Sequence, residues 1–181
     1  MAILSITGCD RQNQHEPQAI AVKDASRNSG QRYVIDRSMA GTPIPRATVR
    51  NPQGQMVNLA TLAGKPLVLN LWATWCGPCV EELPTLNALA DSSGSDLRLV
   101  ALSQDIGTSD AAPANYVTDR GWSNLQVWRD PDNIVGQLYG GQLPTTIIFA
   151  ADGREVARVI GPLDWTGTDA RSLLAEAGVT N

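Results

Sequence analysis

The run Leu67-Val68-Leu69-Asn70-Leu71-Trp72, followed after three residues by Cys76-Gly77-Pro78-Cys79, constrains this chain more than any other feature. An almost wholly apolar stretch of strand length is expected where both faces of a strand are buried. A strand open to water on one side would alternate instead. Beyond it, Val80, Leu83, Leu86 and Ala90 recur every three or four residues, which sets one apolar face of a helix from the cysteine pair to about residue 90. A buried strand leading directly into an amphipathic helix belongs to an α/β sheet covered on both sides.

The alternation continues downstream. Leu97-Arg98-Leu99-Val100-Ala101-Leu102 reads as a second buried strand. Ser109-Asp110 is expected to cap a helix to about residue 120, with Pro113 near its start and Gly121 as its stop. A short strand around Gln126-Val127-Trp128 follows, then a brief helix capped by Asp132 and ending at Gly140. Residues 144–149 and 155–160 form two strands around Asp152-Gly153, a hairpin signal, and a last helix over 168–177 stops at Gly178. Upstream, residues 47–50 and 56–59 flank Asn51-Pro52-Gln53-Gly54 as strand, turn and strand. The expected fold is α/β, a central mixed β-sheet flanked by helices with an extra N-terminal β-hairpin, in one domain over residues 42–181.

Composition separates this domain from what precedes it. Of 181 residues, 43% are hydrophobic and 18% charged, enough apolar mass for one core and too little charge for a disordered chain. The net charge of -4 argues against a nucleic-acid partner, which would need a basic face. No apolar run approaches the roughly 18 residues that span a bilayer. Residues 10–41 are rich in Gln, Asn, Ser and Arg without a period of 2 or 3.6, and read as a flexible tether reaching ~30 Å. The lone His15 in it is expected to be a solvated linker residue. Residues 1–9 are apolar and end in small residues, and Ile6-Thr7-Gly8-Cys9 resembles the lipobox of bacterial lipoproteins, whose cysteine carries the lipid. Asp10 resembles a signal that, in some Gram-negative bacteria, retains a lipoprotein in the inner membrane. The stretch is short and has no basic n-region, so the expectation is a truncated lipoprotein signal ending at Cys9, with a free or buried thiol as the alternative.

Three cysteines, an odd count with one close pair, do not make a disulfide framework. Position gives the pair its chemistry. Cys76 is expected at a helix N-terminus, where unpaired N–H groups and the helix dipole favour a thiolate, the species that attacks disulfides. Pro78 loses little in a first turn, since its missing N–H would have no partner there. Cys79, one turn further in, is placed to attack the mixed disulfide and release the product. A zinc site would need about four ligands, whereas Cys9 and His15 lie in the tether, so no metal is expected. A structural disulfide closing so small a loop would stabilise little.

The segment Leu69-Asn70-Leu71-Trp72-Ala73-Thr74-Trp75-Cys76-Gly77-Pro78-Cys79, with Glu82-Leu83-Pro84 after it, resembles the TlpA/ResA branch of the thioredoxin superfamily. The resemblance spans residues 42–177 and includes Leu143-Pro144-Thr145. It implies a thioredoxin fold and a membrane-tethered thiol–disulfide oxidoreductase in the periplasm or another extracytoplasmic space, with no cofactor beyond a Cys76–Cys79 redox disulfide. It further implies that Pro144 is cis and faces the dithiol, that Leu143 pairs with substrate backbone, and that Glu82 helps move the proton of the resolving thiol. Trp72 and Trp75 are expected to pack around the dithiol, with Trp75, Gly77 and Pro78 among the substrate contacts. Cytosolic thioredoxins carry a buried Asp where this chain has Asn70, so proton handling shifts toward Glu82, whose pKa burial would raise. Pro84 is expected to kink the helix and to take no catalytic part. Gly-Pro between the cysteines resembles reducing members of the superfamily. That implies protein disulfides as substrates, a membrane electron donor of the thiol-transfer type, and work in cytochrome c or copper-site maturation. The alternatives are a disulfide oxidase or isomerase, and a non-catalytic binding module or metallochaperone. A peroxiredoxin is disfavoured, because Leu69 and Ala73 stand where its Pro and Thr would be.

Overall fold

The strand β4 (Leu67–Trp72) shows why its sequence is apolar throughout: all six residues are buried. Alternate side chains enter different cores. Val68 and Trp72 join Leu83, Leu86 and Leu89 of α1 (Gly77–Ser93) on one face. Leu67, Leu69 and Leu71 join Leu59, Leu62 and Phe149 on the other. Asn70 shares the face of Val68 and Trp72, so a single polar residue in the run points toward α1.

The computed structural model describes residues 32–179. Parallel to β4 runs β5 (Arg98–Ser103), with Trp72 opposite Ser103, and parallel to that β6 (Val127–Arg129). On the other side β7 (Thr145–Phe149) and β8 (Glu155–Ile160) are antiparallel, with Leu71 opposite Thr145. The hairpin of β2 (Thr48–Arg50) and β3 (Met56–Asn58) joins β6 through Arg50 opposite Arg129. At the far edge, β1 (Val34–Asp36) pairs with β8, Val34 opposite Ile160. The eight strands form one mixed sheet in the order β1-β8-β7-β4-β5-β6-β2-β3. With α1, the helices α2 (Ala112–Thr118) and α4 (Thr168–Glu176) supply Val117, Ala170, Leu173 and Leu174 to the first core, and α3 (Ile134–Leu138) supplies Val135 to the second. This is the expected α/β architecture with the extra hairpin, and the hairpin extends the sheet instead of standing apart.

Three local expectations need correction. Residues 34–36, read as tether, are the edge strand β1, paired with β8 and with Ile35 packed against the first core. Neither Ser109 nor Asp110 caps α2: its N-cap is Ala111, with no side-chain cap, while Asp110 lies 3.6 Å from Arg50. The cap of α3 is not Asp132 but the buried Asp130, whose carboxylate accepts the N–H groups of Ile134, Val135 and Gly136 at 3.1, 2.8 and 3.0 Å. Among the described residues no helix is long and apolar enough to cross a membrane. Cys9, His15 and the rest of residues 1–31 lie outside the described residues.

Candidate active site

The dithiol sits at the carboxyl ends of the parallel strands, the end of an α/β sheet where sites form. After β4 the chain makes one turn, in which the Cys76 N–H donates to the Ala73 carbonyl at 3.1 Å, and then enters α1. Cys76 is the N-cap of that helix. Its Sγ accepts the Cys79 N–H at 3.3 Å, so the sulfur occupies the place of a capping oxygen. Pro78 lies in the first turn, where its missing donor costs nothing. The two sulfurs are bonded at 2.04 Å, with the Cα atoms 5.3 Å apart. Both cysteines are buried, Cys76 at 6% exposure and Cys79 fully, so of the two only Cys76 reaches the surface at all.

One turn beyond Cys79, Glu82 is buried at 3% exposure beneath the pair. Asn70 Nδ2 donates to its Oε1 at 2.7 Å and to Thr146 Oγ1 at 2.9 Å. The Leu163 N–H and the Trp165 indole N–H donate to Oε2 at 3.1 and 3.4 Å. Burial penalises the carboxylate more than these donors favour it, and the Glu82 pKa is pushed up to about 7. The burial expected of Glu82 is therefore present, and so is its cause. Asn70, the amide in the apolar strand, is one of the donors that hold it.

Leu143-Pro144 approaches from the other side. The Leu71–Thr145 register places this pair at the same sheet end as the dithiol, and its peptide bond is cis, as the resemblance implies. Pro144 is buried and Leu143 half-buried, while Gly77 and Pro78 are exposed. The two tryptophans divide. Trp72 is buried in the same core as both cysteines, but Trp75 is 71% exposed and does not pack around the dithiol. It follows Thr74 in the turn outside the strand, where the sheet no longer dictates which side it faces. Sequence reasoning passed over Asp105, a 1% exposed carboxylate bonded to Thr74 two residues before Cys76. Its signal was Ser103-Gln104-Asp105, polar residues at the carboxyl end of a buried strand. Among the described residues no three His, Cys, Asp or Glu side chains gather into a metal site.

Residues 39–175 match the Redoxin family. ResA, the thiol–disulfide oxidoreductase of Bacillus thuringiensis (strain Al Hakam), is 31% identical over 127 residues, covering 70% of this chain and 72% of that protein. ResA of Bacillus subtilis (strain 168) is 31% identical over 125 residues, 68% of each chain. Among solved structures, a DsbF homologue from Corynebacterium diphtheriae superposes with a TM-score of 0.63 at 21% identity, covering 82% of this chain and 95% of that one.

Proposed function

The chain belongs to the Redoxin family and is a thiol–disulfide oxidoreductase, and from that premise we propose that it reduces protein disulfides outside the cytoplasm through Cys76 and Cys79. The observation that carries this reading is the asymmetry of the pair: Cys76 Sγ caps α1 and its residue keeps a 6% opening to solvent, while Cys79 is fully buried one turn before the buried Glu82. In the reduced protein the Cys76 thiolate attacks one sulfur of a substrate disulfide. That S–S bond breaks, a mixed disulfide forms, and the departing substrate sulfur takes a proton. Glu82, with a pKa of about 7, accepts the proton of the Cys79 thiol. The Cys79 thiolate then attacks Cys76 Sγ, the intramolecular disulfide forms, and the substrate leaves as a dithiol. Two electrons have passed to the substrate, and a membrane electron donor of the thiol-transfer type returns two to Cys76–Cys79. Leu143, Pro144, Trp75, Gly77 and Pro78 form the surface that receives the substrate backbone, and no metal or other cofactor takes part.

Apocytochrome c and the cysteines of copper-site assembly factors are the substrates this reading favours. The lipobox-like Ile6-Thr7-Gly8-Cys9 supports a lipid on Cys9 and residence at the inner membrane. The midpoint potential of the dithiol tests the direction. A value below roughly -230 mV supports the reductant, and one above roughly -150 mV makes a disulfide oxidase or isomerase the better account. Cys76→Ser should abolish turnover, and Cys79→Ser should accumulate a mixed disulfide with the true partner, identified by mass spectrometry. Full turnover in the Cys76 variant would end the reading.

A further inference from the structure

Asp105 has no part in the steps above, yet its carboxylate is buried and fastened from every side. Both oxygens lie 3.2 Å from the Thr74 backbone N–H, Oδ1 accepts the Thr74 hydroxyl at 2.6 Å, and Oδ2 accepts the Ser103 hydroxyl at 2.8 Å. All of these partners are donors, the arrangement that suits a carboxylate anion. The Asp105 backbone is held as well. Its carbonyl accepts from the buried Arg129 at 2.9 Å, and the same guanidinium donates to Ser109 O at 2.8 Å and Thr108 Oγ1 at 3.2 Å. Asp105 thereby joins a fixed loop after β5 to the turn between β4 and α1.

The disulfide itself holds Cys76 against α1, and reduction removes that bond. What then keeps Cys76 Sγ over the helix N-terminus is the noncovalent fastening of residues 73–76. We propose that Asp105 is a positioning residue for the dithiol: by gripping Thr74 it keeps Cys76 Sγ at the first N–H groups of α1 once the disulfide has opened, and so sustains the thiolate. The proposal rests on Cys76 as the attacking sulfur. The other charged groups near the turn are Glu82 behind Cys79, Glu81 paired with Arg32, and Arg129 behind Asp105.

Grip and charge act with opposite signs. A negative charge near a thiol disfavours its thiolate, so if charge dominated, removing Asp105 would lower the Cys76 pKa. Loss of the grip raises it, because the sulfur leaves the N–H groups and the dipole. The experiment measures the pH dependence of Cys76 alkylation by iodoacetamide in the full reduced chain, on a Cys79→Ser background, by the mass of the Cys76 peptide. Asp105→Ala and Thr74→Val should each raise the apparent pKa by about one unit, a roughly tenfold loss of thiolate at neutral pH. Thr74→Ser, which keeps the hydroxyl, should match the parent. A downward shift, no shift, or Thr74→Ser behaving like Thr74→Val would overturn the proposal. If Asp105→Ala does not fold, the Thr74 pair decides alone. Alkylation needs no substrate and no direction of electron flow, so failure here is separate from a failed potential or trapping experiment.

Discussion

In the proposed mechanism Glu82 couples the chemistry of the pair to pH. Its folded pKa of about 7 lies above the ordinary carboxylate value of 4.5, so the folded state favours the protonated form. That preference stabilises the fold in full below pH 4.5 and is lost as pH rises through about 7, a loss on the order of 3 kcal/mol. Glu82→Gln, which cannot ionise, should be more stable than the parent at pH 8 and show a flatter stability profile between pH 4.5 and 7 in urea titrations. The same variant should release product from the mixed disulfide about 100-fold more slowly at neutral pH, with initial attack by Cys76 little changed. Stopped-flow measurement of the two phases separates these steps, and equal slowing of both would remove Glu82 from proton transfer. At this scale the sequence was informative about the Cys76–Cys79 pair, which is bonded, and about the burial of Glu82. It was silent on Asp105, because what distinguishes that carboxylate is Thr74, distant in the chain and adjacent only after β4 and β5 pair. The exposure of Trp75 was not legible for a related reason: it lies just past the last residue that strand periodicity governs.

Among the elements, the long ones were legible from their own periods; of the short ones, β2, β3, β6 and α3 were signalled by the turn residues around them, while β1 and the cap of α3 were not. β4 and β5 announce themselves by apolar runs, and α1 by its recurring Leu83 and Leu86, since both cores demand those patterns. β1 and α3 are 3 and 5 residues long, too short to carry a period, and depend on partners for their existence. For α3 the partner is Asp130. Replacing it with Ala leaves three N–H groups without their acceptor and should cost about 2 kcal/mol, lowering Tm by roughly 4–8 °C. Asp132→Ala, at the position sequence suggested for the cap, should leave Tm within about 1 °C. Thermal denaturation of the two variants side by side checks the assignment, and reversed effects would return the cap to Asp132.

For the whole molecule, the position of β1 decides where the domain begins. A chain starting at residue 32 keeps the β1–β8 pairing and should retain the parent's Tm and midpoint potential. A chain starting at residue 42, the boundary expected from composition, strips the edge of β8 and should aggregate on heating, since an uncovered edge strand templates further pairing. Light scattering during a thermal ramp distinguishes the two, and equal solubility would make β1 dispensable. The unequal exposure of the two cysteines matters at this scale as well. With Cys79 sealed at 0% and Cys76 open at 6%, the protein resembles a cell with one bare terminal and one insulated terminal. Current can flow only through a partner that reaches Cys76 and stays long enough for the insulated side to close the circuit. A partner that cannot reach Cys76 therefore leaves the pair as it finds it, whichever way the electrons run.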